Sequence, residues 1–323
     1  MTDDGLVTAH ILDGHGGSRE IAWSRIATWS PDEGPLWVHL DYTDPAAARW
    51  LWEDSGLDEV AVEALLAEET RPRAVNHGAG LLVTLRGVNL NPGADPEDMV
   101  SIRLYVDEHR VISTRKRRLL SVEDMRGAMA RGMGPTSSAD LLVQLAEGLV
   151  GRMAEVISDI DDRVSELEND LDAADHRQLR PTIAGLRRQI IELRRYLAPQ
   201  REALARLWAE KAGWLNDSNR LHLREIADRM TRYVEELDMD RERALLAQEY
   251  LANSLAEQMN NRMYVLSLAA AIFLPLSFIT GLLGINVGGI PGTENPWAFL
   301  AVVIAIAAIG AGQFLYLRHR RWF

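Results

Sequence analysis

Cysteine is absent from the 323 residues, which excludes disulfides, thiolate metal sites and cysteine nucleophiles and is compatible with a cytosolic location. Net positive charge is missing as well: the formal charge is -12, and an acidic bulk argues against a protein that binds phosphate backbones. Nucleic acid is therefore not an expected partner. No Walker A loop, zincin His-Glu pair, nucleophile elbow or kinase set occurs, so no enzyme chemistry is legible. The eight histidines are scattered without the spacing that places two ligands on one helical face, which argues against a closed zinc site within one chain. Residues 1–20 contain Asp3, Asp4 and Asp13 and no apolar h-region, so no signal peptide is expected and the large domain is expected to stay inside.

The most informative absence is regional. Between Arg262 and Arg318 the one charged side chain is Glu294, whereas the first 261 residues hold 31 Lys+Arg against 46 Asp+Glu. Met263 to Leu283 is 21 uncharged residues, about 31 Å as a helix, and Pro296 to Leu317 is 22, about 33 Å. Each matches a hydrocarbon core of roughly 30 Å, so two membrane spans are expected. Arg262 precedes the first span and Arg318, Arg320 and Arg321 follow the second, while the connecting loop holds no Lys or Arg. The positive-inside rule then puts both termini in the cytoplasm. Trp297, Trp322 and Phe323 suit the two interfaces as aromatic anchors.

The region from Leu6 to Arg118 reads as α/β. Leu36 to Leu40, Leu81 to Leu85 and Val100 to Thr114 look like strands, the last a hairpin turning at Asp107-Glu108. Helices are expected from Asp44, with Pro45 at its first position, to about Ser55, and from Asp58 to about Glu69. Gly132 to Pro135 breaks the chain before a helical remainder. Ser137 caps a single helix whose apolar positions run from Leu141 to Leu171, and a second runs from about Pro181 to about Leu197. From Leu221 to Leu283 nothing stops a helix of about 95 Å except Pro275. Its stripe of Leu223, Ile226, Met230, Val234, Leu237, Ala244, Leu245, Leu251, Leu255 and Met259 is expected to exceed what one chain can cover, hence oligomerisation.

Four other features stay with bland explanations. His10 to Gly17, with two histidines among glycines, reads as a flexible surface loop because no strand leads into a phosphate-type turn. His222 reads as solvated, the alternative being a contact with a carboxylate of a neighbouring chain in an oligomer. The run Arg115 to Arg118 is expected to pair with nearby acids. Glu235, Glu236, Asp238, Asp240 and Glu242 read as a solvated face, the alternative being carboxylate binding of a hard cation.

On the first span, Asn260, Met263, Ala270, Leu274, Ser277, Gly281 and Gly284 share one helical face, smaller and more polar than its surroundings. In lipid such a face packs against a helix or lines a pore. The loop that follows is glycine-rich. With Gly284-Ile285-Asn286 at the end of the first of two C-terminal spans, the chain resembles the CorA superfamily of divalent-cation transporters, whose signature there is Gly-Met-Asn. The residues Val287 to Gly292 make it similar to the zinc-transporting ZntB branch. Leu283 stands where Mg²⁺ members have an aromatic residue, and Ile285 replaces methionine. Both departures weigh against a Mg²⁺ assignment.

The resemblance implies an α+β membrane protein that assembles as a homopentamer. It implies a cytosolic α/β domain over 1–135, a helical region over 136–218, a stalk helix over 219–262, a pore-lining span over 263–284, a periplasmic loop over 285–295, a second span over 296–317 and a basic cytoplasmic tail over 318–323. It implies an entrance formed by Gly284, Ile285 and Asn286, where five Asn286 carboxamides meet a hydrated ion. It adds Leu266 to the pore face of Asn260, Met263, Ala270, Leu274, Ser277 and Gly281. Glu294 at the outer rim would raise local cation concentration or is an incidental loop acid, and rings of Leu274 and Met263 would be able to gate by dewetting. The implied activity is Zn²⁺ transport across the inner membrane, open to proton coupling, without cofactor or catalytic residue. Mg²⁺, Co²⁺, Ni²⁺ and Cd²⁺ are further candidate ions, a Mg²⁺/Co²⁺ channel is the alternative within the family, and a membrane-anchored sensor or scaffold is the alternative outside it.

Overall fold

The computed structural model describes residues 5–171, 176–285, 292 and 295–319, with the side chains of 176–178 left aside. The chain divides into two compact units, residues 1–248 and 249–323. In the first, strands β1 (Leu6–Leu12) and β2 (Ser18–Glu20) form a hairpin, followed by the single turn α1 (Trp23–Ile26) and by β3 (Leu36–Asp41). Helices α2 (Pro45–Glu53) and α3 (Glu59–Leu66) come next, each started by an aspartate. Asp44 accepts from the Ala46 N–H at 2.8 Å and Asp58 from the Ala61 N–H at 3.0 Å, satisfying donors that a helix start leaves open.

Strands β4 (Arg73–His77), β5 (Gly80–Gly87), β6 (Val100–Val106) and β7 (Arg110–Arg115) complete a mixed seven-stranded sheet among the described residues, in the order β2-β1-β3-β7-β6-β5-β4. Only β3 and β7 pair in parallel; the other neighbours are antiparallel. Side chains alternate along strands. One face, with Ala9, Ile11, Val38, Leu40, Tyr105 and Ile112, is therefore buried beneath Ala47 and Leu51 of α2 and Val62 and Leu65 of α3. Helix α4 (Leu120–Ala130) and then α5 (Ser138–Gly151) follow, and α5 packs against β5, β6 and β7.

Several expectations need correction here. The continuous helix expected from Ser137 to Leu171 is two, α5 and α6 (Met153–Asp170), parted at Arg152 directly after Gly151, a residue that weakens a helix interior. Helix α7 (His176–Ala209) starts before Pro181 and ends well after Leu197, with Pro181 and Pro199 inside it. An interior proline removes one helical hydrogen bond. Burial of Leu193, Leu197, Ala203, Leu204 and Leu207 offsets that loss. The stretch containing His10 is not a flexible loop at its start: His10 lies in β1, 7% exposed, with its ring nitrogens at 2.7 Å from Thr8 Oγ1 and 3.0 Å from Ser18 Oγ. Burial holds its pKa below the ordinary value. The turn beyond is fixed by the Asp13 carboxylate, which accepts from the His15 and Gly17 N–H groups.

Helix α8 (Asp217–Gly284) runs for 68 residues, about 102 Å at 1.5 Å per residue. Within the first unit Leu223, Ile226, Met230, Val234, Leu237 and Ala244 are buried by the chain itself. Neighbouring helices are fastened to α8 by charged pairs: Arg229 donates to Glu147 of α5 at 2.6 Å, and Arg194 of α7 donates to Asp238 at 3.2 Å. The stripe expected to need a second subunit is thus covered over most of its length in one chain. In the second unit Leu251 is still buried, whereas Met259 is 63% exposed. Helix α9 (Ala298–His319) closes the described chain.

Candidate cation pathway

The membrane-length helices, the end of α8 and all of α9, are long and apolar enough to cross a bilayer. Pro275 lies inside α8 without ending it. Its missing N–H leaves the Ala271 carbonyl without the usual helical donor, a defect that membrane helices tolerate where neighbouring groups re-satisfy it. The start of α9 is chemically explicit: Asn295 accepts from the Trp297 N–H through Oδ1 at 3.0 Å, and Pro296 occupies a position where no N–H is needed.

The two helices of this unit meet along definite faces. On α8 the half-buried residues are Leu268, Ala269, Ile272, Leu276 and Ile279; on α9 they are Ala298, Val302, Ile306, Gly310, Gln313 and Leu317. Gly310 sits opposite Leu276, whose Cδ1 is 3.8 Å from where a Cβ on that glycine would be, so a small residue marks the approach. At 100° per residue the α8 contact face points about half a turn away from the face of Met263, Leu266, Ala270, Leu274, Ser277 and Gly281. All six are exposed, Met263 at 63%, Leu266 at 75% and Leu274 at 74%, and so are Asn260, Gly284 and Ile285. Among the described residues, neither Gly281 nor Gly284 has a neighbour within 4 Å of a hypothetical Cβ. The small, polar face is not what holds α9. Asn286 and Glu294 lie outside the described residues.

Chemically the bare face offers the Asn260 carboxamide, the Ser277 hydroxyl, the Met263 thioether and glycine backbone, all neutral. Thr280, off this face, donates through Oγ1 to the Ser277 carbonyl at 3.0 Å. Neutral oxygen donors suit weak contact with a hydrated cation more than capture of a bare one.

The other sequence candidates resolve differently. Glu235, Glu236, Glu242 and His222 are exposed on α8, as a solvated face requires. Asp238 is half-buried and paired with Arg194, and Asp240 is buried, so the acids do not converge on one point; among the described residues no group of three His, Cys, Asp or Glu is placed to hold a metal ion. In the basic run, Arg117 pairs with Asp98 and Arg118 Nε lies 3.5 Å from Glu123. Arg243, which sequence reasoning passed over, gathers Asp161, Glu168 and Asp240 around one guanidinium. Its position on α8 in the mixed-charge run Arg241-Glu242-Arg243 left no periodic signal.

Comparison with known proteins identifies the family. The profile of the CorA-like Mg²⁺ transporter protein family matches residues 32–320. The zinc transport protein ZntB of Yersinia enterocolitica is 38% identical over 98% of this chain and 95% of its own. The divalent cation transporter CmaX of Pseudomonas aeruginosa is 42% identical over 98% of this chain and 97% of its own. The solved structure of full-length CmaX superposes with a TM-score of 0.87 at 41% identity, covering 99% of this chain and 98% of that one. On its sequence, on its α/β unit leading into one long helix, and on its two apolar C-terminal helices, the chain belongs to the CorA-like family of transporter proteins.

Proposed function

We propose that the chain moves divalent metal cations across a membrane, Zn²⁺ foremost, through a pore made by the first spans of five copies. The observation that carries this reading is the small, neutral face of α8 from Met263 to Gly281, left bare on the side opposite α9. A packing face would be occupied by the helix that follows it in sequence; a pore face is free to meet its own copies and water. Relatives named for zinc and for divalent-cation transport, matched over nearly their whole length, favour Zn²⁺ among the possible ions.

In this reading Gly284, Ile285 and Asn286 form the entrance, where the Asn286 carboxamides bind the ion through its waters. Mg²⁺ in particular sheds its water shell reluctantly, so neutral amide oxygens favour passage over trapping. Glu294 supplies charge at the rim, and Leu274 and Met263 form apolar constrictions. The protein acts as a transporter and not as an enzyme, needs no cofactor, and resides in the inner membrane with both termini cytoplasmic. Purified protein in liposomes loaded with a zinc-sensitive dye tests the proposal. Zn²⁺ influx above that of empty vesicles, with Mg²⁺ slower under the same gradient, is expected; no flux of any divalent ion would refute it.

A further inference from the structure

Outside the membrane-spanning unit, one acid is buried where its chemistry is incomplete. Asp240 on α8 is 2% exposed. Its Oδ1 accepts from Arg243 Nη1 at 3.3 Å, but its buried Oδ2 has no donor among the described residues. Arg243 is already engaged by α6: Nη1 donates to Asp161 Oδ1 at 2.5 Å, Nε and Nη2 donate to Glu168 at 3.0 and 2.7 Å, and Nη2 donates to Ser165 Oγ at 2.8 Å. Three carboxylates therefore share one guanidinium. Glu236, one turn before Asp240, is a fourth acid near it on α8. On α7 Arg194 is engaged by Asp238 and Arg187 by Gln248, and Arg163 of α6 donates to Gln189 at 2.7 Å. Among the described residues, Arg243 is the one cation recorded against Asp240, Asp161 and Glu168.

A buried acceptor facing another carboxylate is unsatisfied when ionised and satisfied when it carries a proton, because a protonated acid donates. We propose that Asp240 is a proton-binding site that shares its proton with Asp161 and so latches the long helix to α6 in a pH-dependent way. With the proton in place, Asp240 Oδ2 donates to Asp161, and Arg243 balances the ionised Asp161 and Glu168. When the proton leaves, an uncompensated carboxylate remains in a buried position and repels Asp161. The side chain of Asp161 is 56% exposed and can swing into water, loosening α6. Burial first, and then the nearby Asp161, push the Asp240 carboxyl up to about 6, so the exchange falls on the mildly acidic side of neutrality. Because α8 continues into the first span, the latch would report pH to the helix proposed to line the pore, but the proton site itself does not depend on that proposal.

Difference infrared titration of the full chain in liposomes tests the site, read together with hydrogen exchange of the α6 amides after correction for the intrinsic pH dependence. A protonated-carboxyl band that fades with a midpoint near pH 6 is expected, and Asp240→Asn should remove it. Corrected exchange across 161–168 should rise about tenfold in the wild type from pH 5 to pH 7.5, the response to one unit of differential proton binding, and stay flat in Asp240→Asn. Asp161→Asn is the second variant: it should keep the band and move its midpoint down. A band absent at pH 5, a band unchanged in Asp240→Asn, or wild-type exchange that does not change with pH would overturn the proposal.

Discussion

Asn286 follows the last glycine of α8 by two residues, and its proposed work needs only a carboxamide oxygen in a ring of copies. Asn286→Ala removes that oxygen while leaving the helix and its glycines intact. Zn²⁺ flux should fall to background while the assembled protein survives, as read by dye uptake beside size-exclusion profiles. Asn286→Asp keeps the oxygens but adds up to five negative charges to one ring, so an ion should bind more tightly and leave more slowly. Stronger cation binding by calorimetry with low flux is the expected pairing. Asp240 makes the pH prediction at the same scale. Its folded-state value of about 6 lies above the ordinary 3.8, so the fold holds the proton more tightly than the unfolded chain. Its stabilising proton is fully bound below about pH 4 and is lost as pH rises to about 6, for at most about 3 kcal/mol. Asp240→Asn should remove that slope from unfolding curves and raise stability at pH 7.5.

At the scale of the element, α8 is held by its own chain along Leu223, Ile226, Met230, Val234 and Leu237, all at most 2% exposed. Ile226→Ala should lower stability by about 2–5 kcal/mol through lost transfer energy and a residual cavity, measurable by denaturant unfolding of the purified protein. Much of this layer was legible in the sequence because its signals are local. Asp44, Asp58 and Ser137 announce helix starts through side chains that accept backbone N–H groups, and the 3–4 spacing of α8 marks a buried stripe. The failures are cases where distant packing decides. Strands β1, β2 and β4 exist because neighbours pair with them, and Leu6–Leu12 carries no alternation that separates a buried strand from a loop. Pro199 looks like a stop until the buried leucines of α7 are seen. In the membrane unit the Met263 to Gly281 face was readable from residue size, whereas Leu266 came from family resemblance, since periodicity does not separate it from Ser267. Which face α9 covers needed the structure, because a small, polar face in lipid can pack against a helix as well as line a pore.

For the whole molecule, burial by its own chain changes the argument for assembly. The Leu223 stripe no longer demands a partner, but Leu221, Met239 and Leu246 are 57%, 60% and 57% exposed on α8, and the bilayer-length helices are bare. Native mass spectrometry in detergent should give five subunits. Met239→Glu with Leu246→Glu should shift the distribution toward smaller species while leaving the far-ultraviolet helix signal unchanged.

The absence of cysteine makes the central claim directly testable, because any introduced thiol is unique in its chain. Single cysteines at Ala270, Leu274 and Ser277 lie on the proposed pore face, and those at Ile272 and Leu276 lie on the face that meets α9. In liposomes, a charged, water-soluble thiol reagent should label the first three and abolish Zn²⁺ flux, while Ile272→Cys and Leu276→Cys resist labelling and keep their flux. Block at Ile272→Cys and Leu276→Cys with no effect at Ala270→Cys, Leu274→Cys and Ser277→Cys would contradict the pathway.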